Sequence, residues 1–243
     1  GSAEIIDGKP KYCVWIDDAF LTEAQRVQPI QERLQRVREL RLKNTDKNVV
    51  ALAATPHRFR EMNRGTRWTI AMPAVSSEAR LYLPAELLPE NHVISNRAYG
   101  IYDGELYHFA LLASTLHIVW VATVCGKLEL RYSYTNTLGW NTFPVPTLTE
   151  KNKADLTRCA EDILLTREAH FPKTIADLYD PEGMPADLRE AHQRNDEVLE
   201  RIYLGRRFKN DTERLEKLFE LYTKMTASAV PTKGKRRRAG VKA

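Results

Sequence analysis

Phe109–Gly126, "FALLASTLHIVWVATVCG", forms most of the longest stretch without a formal charge. Eighteen apolar-rich residues stand at the lower edge of what spans a bilayer. Ser114, Thr115, His117 and Thr123 make the run more polar than such spans usually are. The reading that follows is a buried, interrupted core helix with no membrane partner. A chain of 243 residues is long enough to bury it. His117 within it reads as a hydrogen-bonded core histidine rather than a catalyst or ligand.

On either side of this helix the texture differs. "YCVWI" (residues 12–16) is a β-rich run. Leu21 to Leu42 then reads mainly as a helix, because Val27, Ile30, Leu34, Val37 and Leu40 recur at spacings of three and four. Pro29 sets its regular start, since proline is tolerated only in a first turn. Its polar positions carry Arg26, Arg33, Arg36, Arg38 and Arg41, read as a solvated face. "RWTIAMPAVSSEARLYLP" suggests two short strands broken by Pro73 and a Ser76–Ser77 turn. "HVISNRAYGIYDG" suggests another strand pair around Asn96 and Arg97. After "FPVP" the chain becomes helical. Thr149 is a plausible N-cap, Pro185 and Gly205 bracket a helix, and Asp211 or Thr212 caps the last one. The expected fold class is α+β: a mixed strand and helix module over residues 4–147, then a small all-α module over 148–227. Residues 228–243 form a basic tail of disordered character. Gly1–Ala3 read as an expression remnant outside the fold.

The net charge of +5 is mostly the tail, whose last eleven residues hold six Lys+Arg and no acid. A more local excess lies in residues 21–67, with 11 Lys+Arg against 5 Asp+Glu. Three scattered cysteines lack any CxxC or Cys/His spacing, so no metal site is expected, and they suit a reducing, cytoplasmic setting. The eleven glycines form no GxGxxG, GxxxxGK[ST] or GxSxG turn. The Asp17–Asp18 pair has no further acids around it for a metal. The chain is therefore expected to catalyse nothing and to hold no cofactor. A small hydrolase built on His57, His108 or His117 is the minor alternative, and a protein-interaction scaffold the other.

"KLELRYS" (residues 127–133) then stands out. As a strand it places Leu128, Leu130, Tyr132 and Tyr134 on one face, with Glu129, Arg131 and Ser133 on the other. The Glu–Arg pair is either a surface ion pair worth about 0–1 kcal/mol or a reader of a C·G base pair. In the second case the carboxylate accepts from cytosine N4 and the guanidinium grips guanine O6 and N7.

"LAATPHRF", "VSSEARLYLP", "AYGIYDGELYHFALLASTLHIVWVATVCGKLELRYSYTNTLGWNTFP" and "LYDPEGMPADLREAHQRNDEVLERIYLGRRF" together resemble the C-terminal part of the MmeI-like, type IIL restriction–modification polypeptides. The resemblance covers roughly residues 9–226. It implies a double-stranded DNA target recognition domain followed by the family's helical C-terminal domain. The N6-adenine methyltransferase, its S-adenosylmethionine and the nuclease would lie in the N-terminal domains of a parent chain. It points to Glu129 and Arg131 as base readers. Many family members carry Lys and Asp at these two positions, so the signs here are exchanged. Ser133 departs from a common family Arg, and Asn96 and Arg97 lie near a second base-choice region. Arg58, Arg60, Arg64, Arg67, Arg80 and Lys127 are candidate phosphate contacts, which orient without specifying.

Overall fold

The computed structural model describes residues 1–229; most of the basic tail lies outside them. The chain opens with α1 (Ser2–Ile6), packed against the first strand. Ser2 donates its backbone N–H to the Arg97 carbonyl at 2.9 Å, so the residues set aside as a remnant take part in the fold. "YCVWI" forms no strand. Tyr12 is 94% exposed and only Ile16 is buried, because β propensity without a neighbouring ladder has nothing to pack on. Next come α2 (Leu21–Ala24), α3 (Gln28–Leu42, with Pro29 in its first turn) and α4 (Lys47–Ala51). Of the five apolar positions expected to form the α3 stripe, only Leu34 is buried, and Val27 and Leu40 are exposed.

Two small antiparallel sheets follow. In the first, β1 (Trp68–Pro73) lies between β3 (Glu86–Pro89) and β4 (Ala98–Tyr102). In the second, β6 (Arg131–Ser133) lies between β2 (Val75–Ser77) and β5 (Gly126–Leu128). Pro73 ends β1 as expected, but Ser76 and Ser77 belong to β2 rather than to a turn. No strand pair surrounds Asn96 and Arg97. The partner of β4 is the distant β1.

The uncharged stretch is indeed buried and interrupted. It forms α5 (Leu106–Leu112) and α6 (Thr115–Val124), bent by 59° at Ala113–Ser114. Among the described residues no single helix is long and apolar enough to cross a membrane. The C-terminal helices are α7 (Glu150–Ala169), α8 (Ile175–Leu178), α9 (Ala186–Leu204) and α10 (Asp211–Ala229). Thr149 caps α7 by accepting from the Asn152 N–H. Gly205 ends α9 at φ 83. The side chain of Asn210, one residue earlier than expected, accepts from Glu213 N–H and caps α10. One hydrophobic cluster runs through both halves of the chain, from Ile70 and Phe109 to Leu156, Leu188 and Leu218.

Breaking a helix inside a core strands its backbone groups, and each unpaired group costs about 1–3 kcal/mol. Helix α9 supplies the missing partners from one buried stripe. Asn195 Nδ2 donates to the Ala110 carbonyl at 2.8 Å, and His192 Nδ1 to the Ala113 carbonyl at 2.9 Å. Asp196 accepts from the Thr115 N–H (2.8 Å), the Thr115 hydroxyl (2.6 Å) and the Tyr82 hydroxyl (3.1 Å). Positions 192, 195 and 196 share a helix face by their spacing of three and four. At the break itself, the Ser114 hydroxyl caps α6 by accepting from His117 N–H.

Burial holds His117 and His192 down to about 3 and raises Asp196 to about 6. The histidines contribute stability that is complete above their unfolded pKa of 6.5 and is lost as pH falls towards 3. The contribution of Asp196 runs the other way: it is complete below 3.8 and lost as pH rises through 6. Melting temperature is therefore expected to fall from pH 6.5 towards pH 4, and Asp196→Asn should steepen that fall. At pH 7, Asn195→Leu should cost about 1–3 kcal/mol in denaturant unfolding.

Candidate nucleic-acid interface

The expected continuous strand over residues 128–134 is instead a hairpin. β5 and β6 are joined at Glu129 and Leu130, and Glu129 adopts φ 55. A two-residue hairpin needs a left-handed conformation at its turn, and here a glutamate rather than a glycine provides it. Leu128 and Leu130 do not anchor the ribbon but are exposed at its tip, while Tyr132 and Tyr134 are buried as expected. Besides its pairing with β2, two contacts from Glu78 hold the hairpin in place, and a cation–ring contact braces it internally. Glu78 N–H donates to the Leu130 carbonyl at 3.1 Å, Lys127 Nζ meets Glu78 at 2.5 Å, and the Lys127 ammonium lies 5.5 Å from the Tyr132 ring centroid.

At the tip Arg131 Nη2 donates to Glu129 at 2.5 Å, with the side chains 47% and 76% exposed. An ion pair this open is worth about 0–1 kcal/mol. Separating it to meet an external donor and acceptor costs little. Ser133 follows Arg131 on the same face, half-buried, opposite Val75 and Gly126. A Cβ added at Gly126 would meet nothing within 4 Å, so this face of the hairpin is open.

Asn96 and Arg97 are exposed in the loop before β4. The backbone of Ala74, between β1 and β2, joins them to the hairpin. Its N–H donates to the Arg97 carbonyl at 3.2 Å, and its carbonyl accepts from Tyr134 N–H at 2.8 Å. Two strand spacings across and three residues along put the loop and the tip roughly 14 Å apart. That is on the order of four base-pair steps.

The phosphate candidates divide by what already holds them. Arg58 forms a two-pronged pair with Asp18, at 3.0 and 2.6 Å, and Asp18 also meets His57 at 2.8 Å. Arg64 lies over Trp15 and 3.7 Å from Asp17. Arg67 lies over Trp68 and donates to the Asp103 carbonyl. The Asp103 carboxylate takes the N–H groups of Thr66 and Arg67, which holds it down at about 2. Lys127 is committed to Glu78. Arg80 is half-buried, donates to Ser76, and its Nε is buried with no partner. Arg60 is exposed and has no partner among the described residues. The pairings of Lys127 and Arg58 with acids 49 and 40 residues away left no local signal in the sequence.

The histidines make a poor hydrolase. His117 is sealed in the core against Tyr134 and Phe143, and His108 faces the Glu105 carbonyl and Trp140. His57 is buried with Asp18 as its polar partner. Among the described residues no group of three or more His, Cys, Asp or Glu is placed to hold a metal.

The family model described as "MmeI, target recognition domain" matches residues 1–147, and that for "MmeI, C-terminal domain" matches residues 148–230. The chain belongs to the MmeI target recognition domain family. DNA methyltransferase A of Bacillus subtilis (strain 168) is 40% identical over 226 residues, covering 93% of this chain and 26% of the relative. The solved structure of the type IIL restriction–modification enzyme MmeI in complex with DNA superposes with a TM-score of 0.88 at 34% identity. That match covers 93% of this chain and 30% of MmeI. The chain thus spans between a quarter and a third of these relatives. Within the MmeI-type frame, the hairpin tip is the most exposed placement of an acid beside a base among the candidate readers.

A left-handed glutamate stores strain that a glycine would not. Glu129→Gly is expected to leave the melting temperature unchanged or raise it slightly while removing the carboxylate. A clear drop in melting temperature would show that the Glu129–Arg131 pair is needed for the hairpin itself.

Proposed function

We propose that this chain is the double-stranded DNA recognition module of a bacterial, cytoplasmic N6-adenine methyltransferase of the restriction–modification class. Glu129 and Arg131 read one C·G base pair from the major groove. The observation that carries this reading is the solvent-facing Glu129–Arg131 pair on a tip held by Glu78, in a fold whose solved relative is complexed with DNA. A carboxylate matches the cytosine N4 donor, and a guanidinium matches guanine O6 and N7. Ser133 lies on the same face within reach of a neighbouring base or phosphate. Asn96 and Arg97 suit adenine and guanine at a second position. Arg60 is the sequence-predicted phosphate contact most ready to act. Arg58, Arg64 and Lys127 must exchange an internal acid for a phosphate.

Methyl transfer and any cleavage belong to the N-terminal methyltransferase and nuclease domains of the parent chain, where S-adenosylmethionine binds. The residues present here do not fit that cofactor. Among the described residues every strand ladder is antiparallel, and the turn from β4 into α5 is filled by Asp103 holding Thr66 and Arg67.

Arg131→Ala is expected to weaken cognate duplex by about 1–3 kcal/mol and relax one base position, read by competition binding against duplexes varied one position at a time. Equal weakening on cognate and random duplex would overturn the assignment.

A further inference from the structure

Helix α3 is an unusual helix for a folded chain. Only Leu34 of its fifteen residues is buried, and an isolated helix of that length is marginal in water. It is held through Arg41, whose guanidinium donates to the carbonyls of Leu52 (2.8 Å), Thr55 (3.0 Å) and Arg58 (2.7 Å). Ile30 and Val37 are half-buried on the same side, and the remaining side chains face outward.

Cations elsewhere in the chain are mostly committed to acids, as Arg158, Arg167, Arg194, Arg206 and Arg214 are. Arg33, Arg36, Arg38 and Lys43 are exposed and have no partner among the described residues. The acids of the helix do not serve them: Glu32 accepts from Gln28 at 3.0 Å and Glu39 from Gln35 at 2.7 Å.

At about 100° per residue, Arg33, Arg36, Leu40 and Lys43 follow one another by three, four and three positions along one flank. Arg38 falls on the opposite flank. From Arg33 to Lys43 the flank is about 15 Å long at 1.5 Å per residue. That length suits a run of backbone phosphates. Among the described residues no acid pairs with Arg33, Arg36 or Lys43.

We propose that the Arg33–Arg36–Lys43 flank of α3 is a second DNA contact, a ridge that lies along the phosphate backbone of the duplex read by the hairpin. This rests on the function proposed above and adds a surface to it. The ridge contributes affinity without sequence preference, because phosphates carry none. Leu40, 69% exposed in the middle of the flank, meets the sugar edge between neighbouring phosphates.

The test is a salt titration of duplex binding by the 243-residue chain, using a cognate and a random duplex between about 50 and 200 mM salt. Each of Arg33→Gln, Arg36→Gln and Lys43→Gln should lower the slope of log K against log salt by about 0.9, and the triple variant by about 2.7. Across that fourfold range the wild type then loses about 40-fold more affinity than the triple variant. The ratio of cognate to random binding should stay the same. Arg38→Gln should leave the slope near the wild-type value.

Glutamine keeps helix propensity and none of these side chains holds the fold, so loss of folding does not confuse the result. An unchanged slope in the triple variant, with wild-type binding intact and Arg131→Ala still losing discrimination, overturns the ridge alone. It would mean that the flank faces protein. An equal loss from Arg38→Gln also overturns it, since diffuse charge would then suffice. Wild-type chain that binds no duplex overturns the proposed function and the ridge together.

Discussion

The structure depends on how a broken helix is sealed inside a core. α5 and α6 could form one continuous apolar rod, but they bend by 59° at Ala113–Ser114. That bend leaves the carbonyls of Ala110 and Ala113 and the N–H of Thr115 needing partners away from water. His192, Asn195 and Asp196 meet all three from a single face of α9. Leaving such backbone groups unpaired in a core is costly, and α9 satisfies them even though Asn195 Oδ1 is itself buried with no partner. The C-terminal helices are thereby fixed to the strand-bearing half by directional bonds as well as by apolar contact. Tyr82, donating to Asp196, ties the segment after β2 to the same point.

This seal sets where the candidate reading surface stands. α6 ends at Val124 and the chain passes directly into β5, so the angle of the bend aims the hairpin. β2, β6 and the Ala74 junction then bring the Asn96–Arg97 loop beside it. A rigid base under an exposed tip suits recognition, which loses affinity whenever readers must first be ordered. The tip has no apolar anchor of its own, and Glu78 holds it by one backbone bond and one ion pair.

Much of this was legible in the sequence where the signal is local. The uncharged stretch, the helical run from Pro29 to Leu42, and Thr149, Pro185 and Gly205 each act within a few residues, and they appear where they were read, although the apolar stripe of α3 buries only Leu34. What failed was non-local. "YCVWI" has strand composition but no ladder beside it. The partner of β4 lies in β1, a pairing that alternation within "HVISNRAYGIYDG" does not reveal. Period-two reasoning carried Leu128 and Leu130 onto the core face, whereas Glu129 takes a left-handed turn that a glutamate does not advertise. The pairing of Arg58 and Lys127, both candidate phosphate contacts, with distant acids is likewise invisible to local pattern. Arg33, Arg36 and Arg38, which have no acid partner among the described residues, lie on α3, where periodicity suggested only a solvated face.

The central claim is that two opposite charges at a hairpin tip select a base pair by matching donors to acceptors. The most direct measurement exchanges them, as Glu129→Lys with Arg131→Asp, in the parent polypeptide and maps methylated adenines by sequencing. The account requires one position of the recognised site to change from C·G to G·C with the others intact. An unchanged site, or a loss of selectivity at several positions at once, would contradict it.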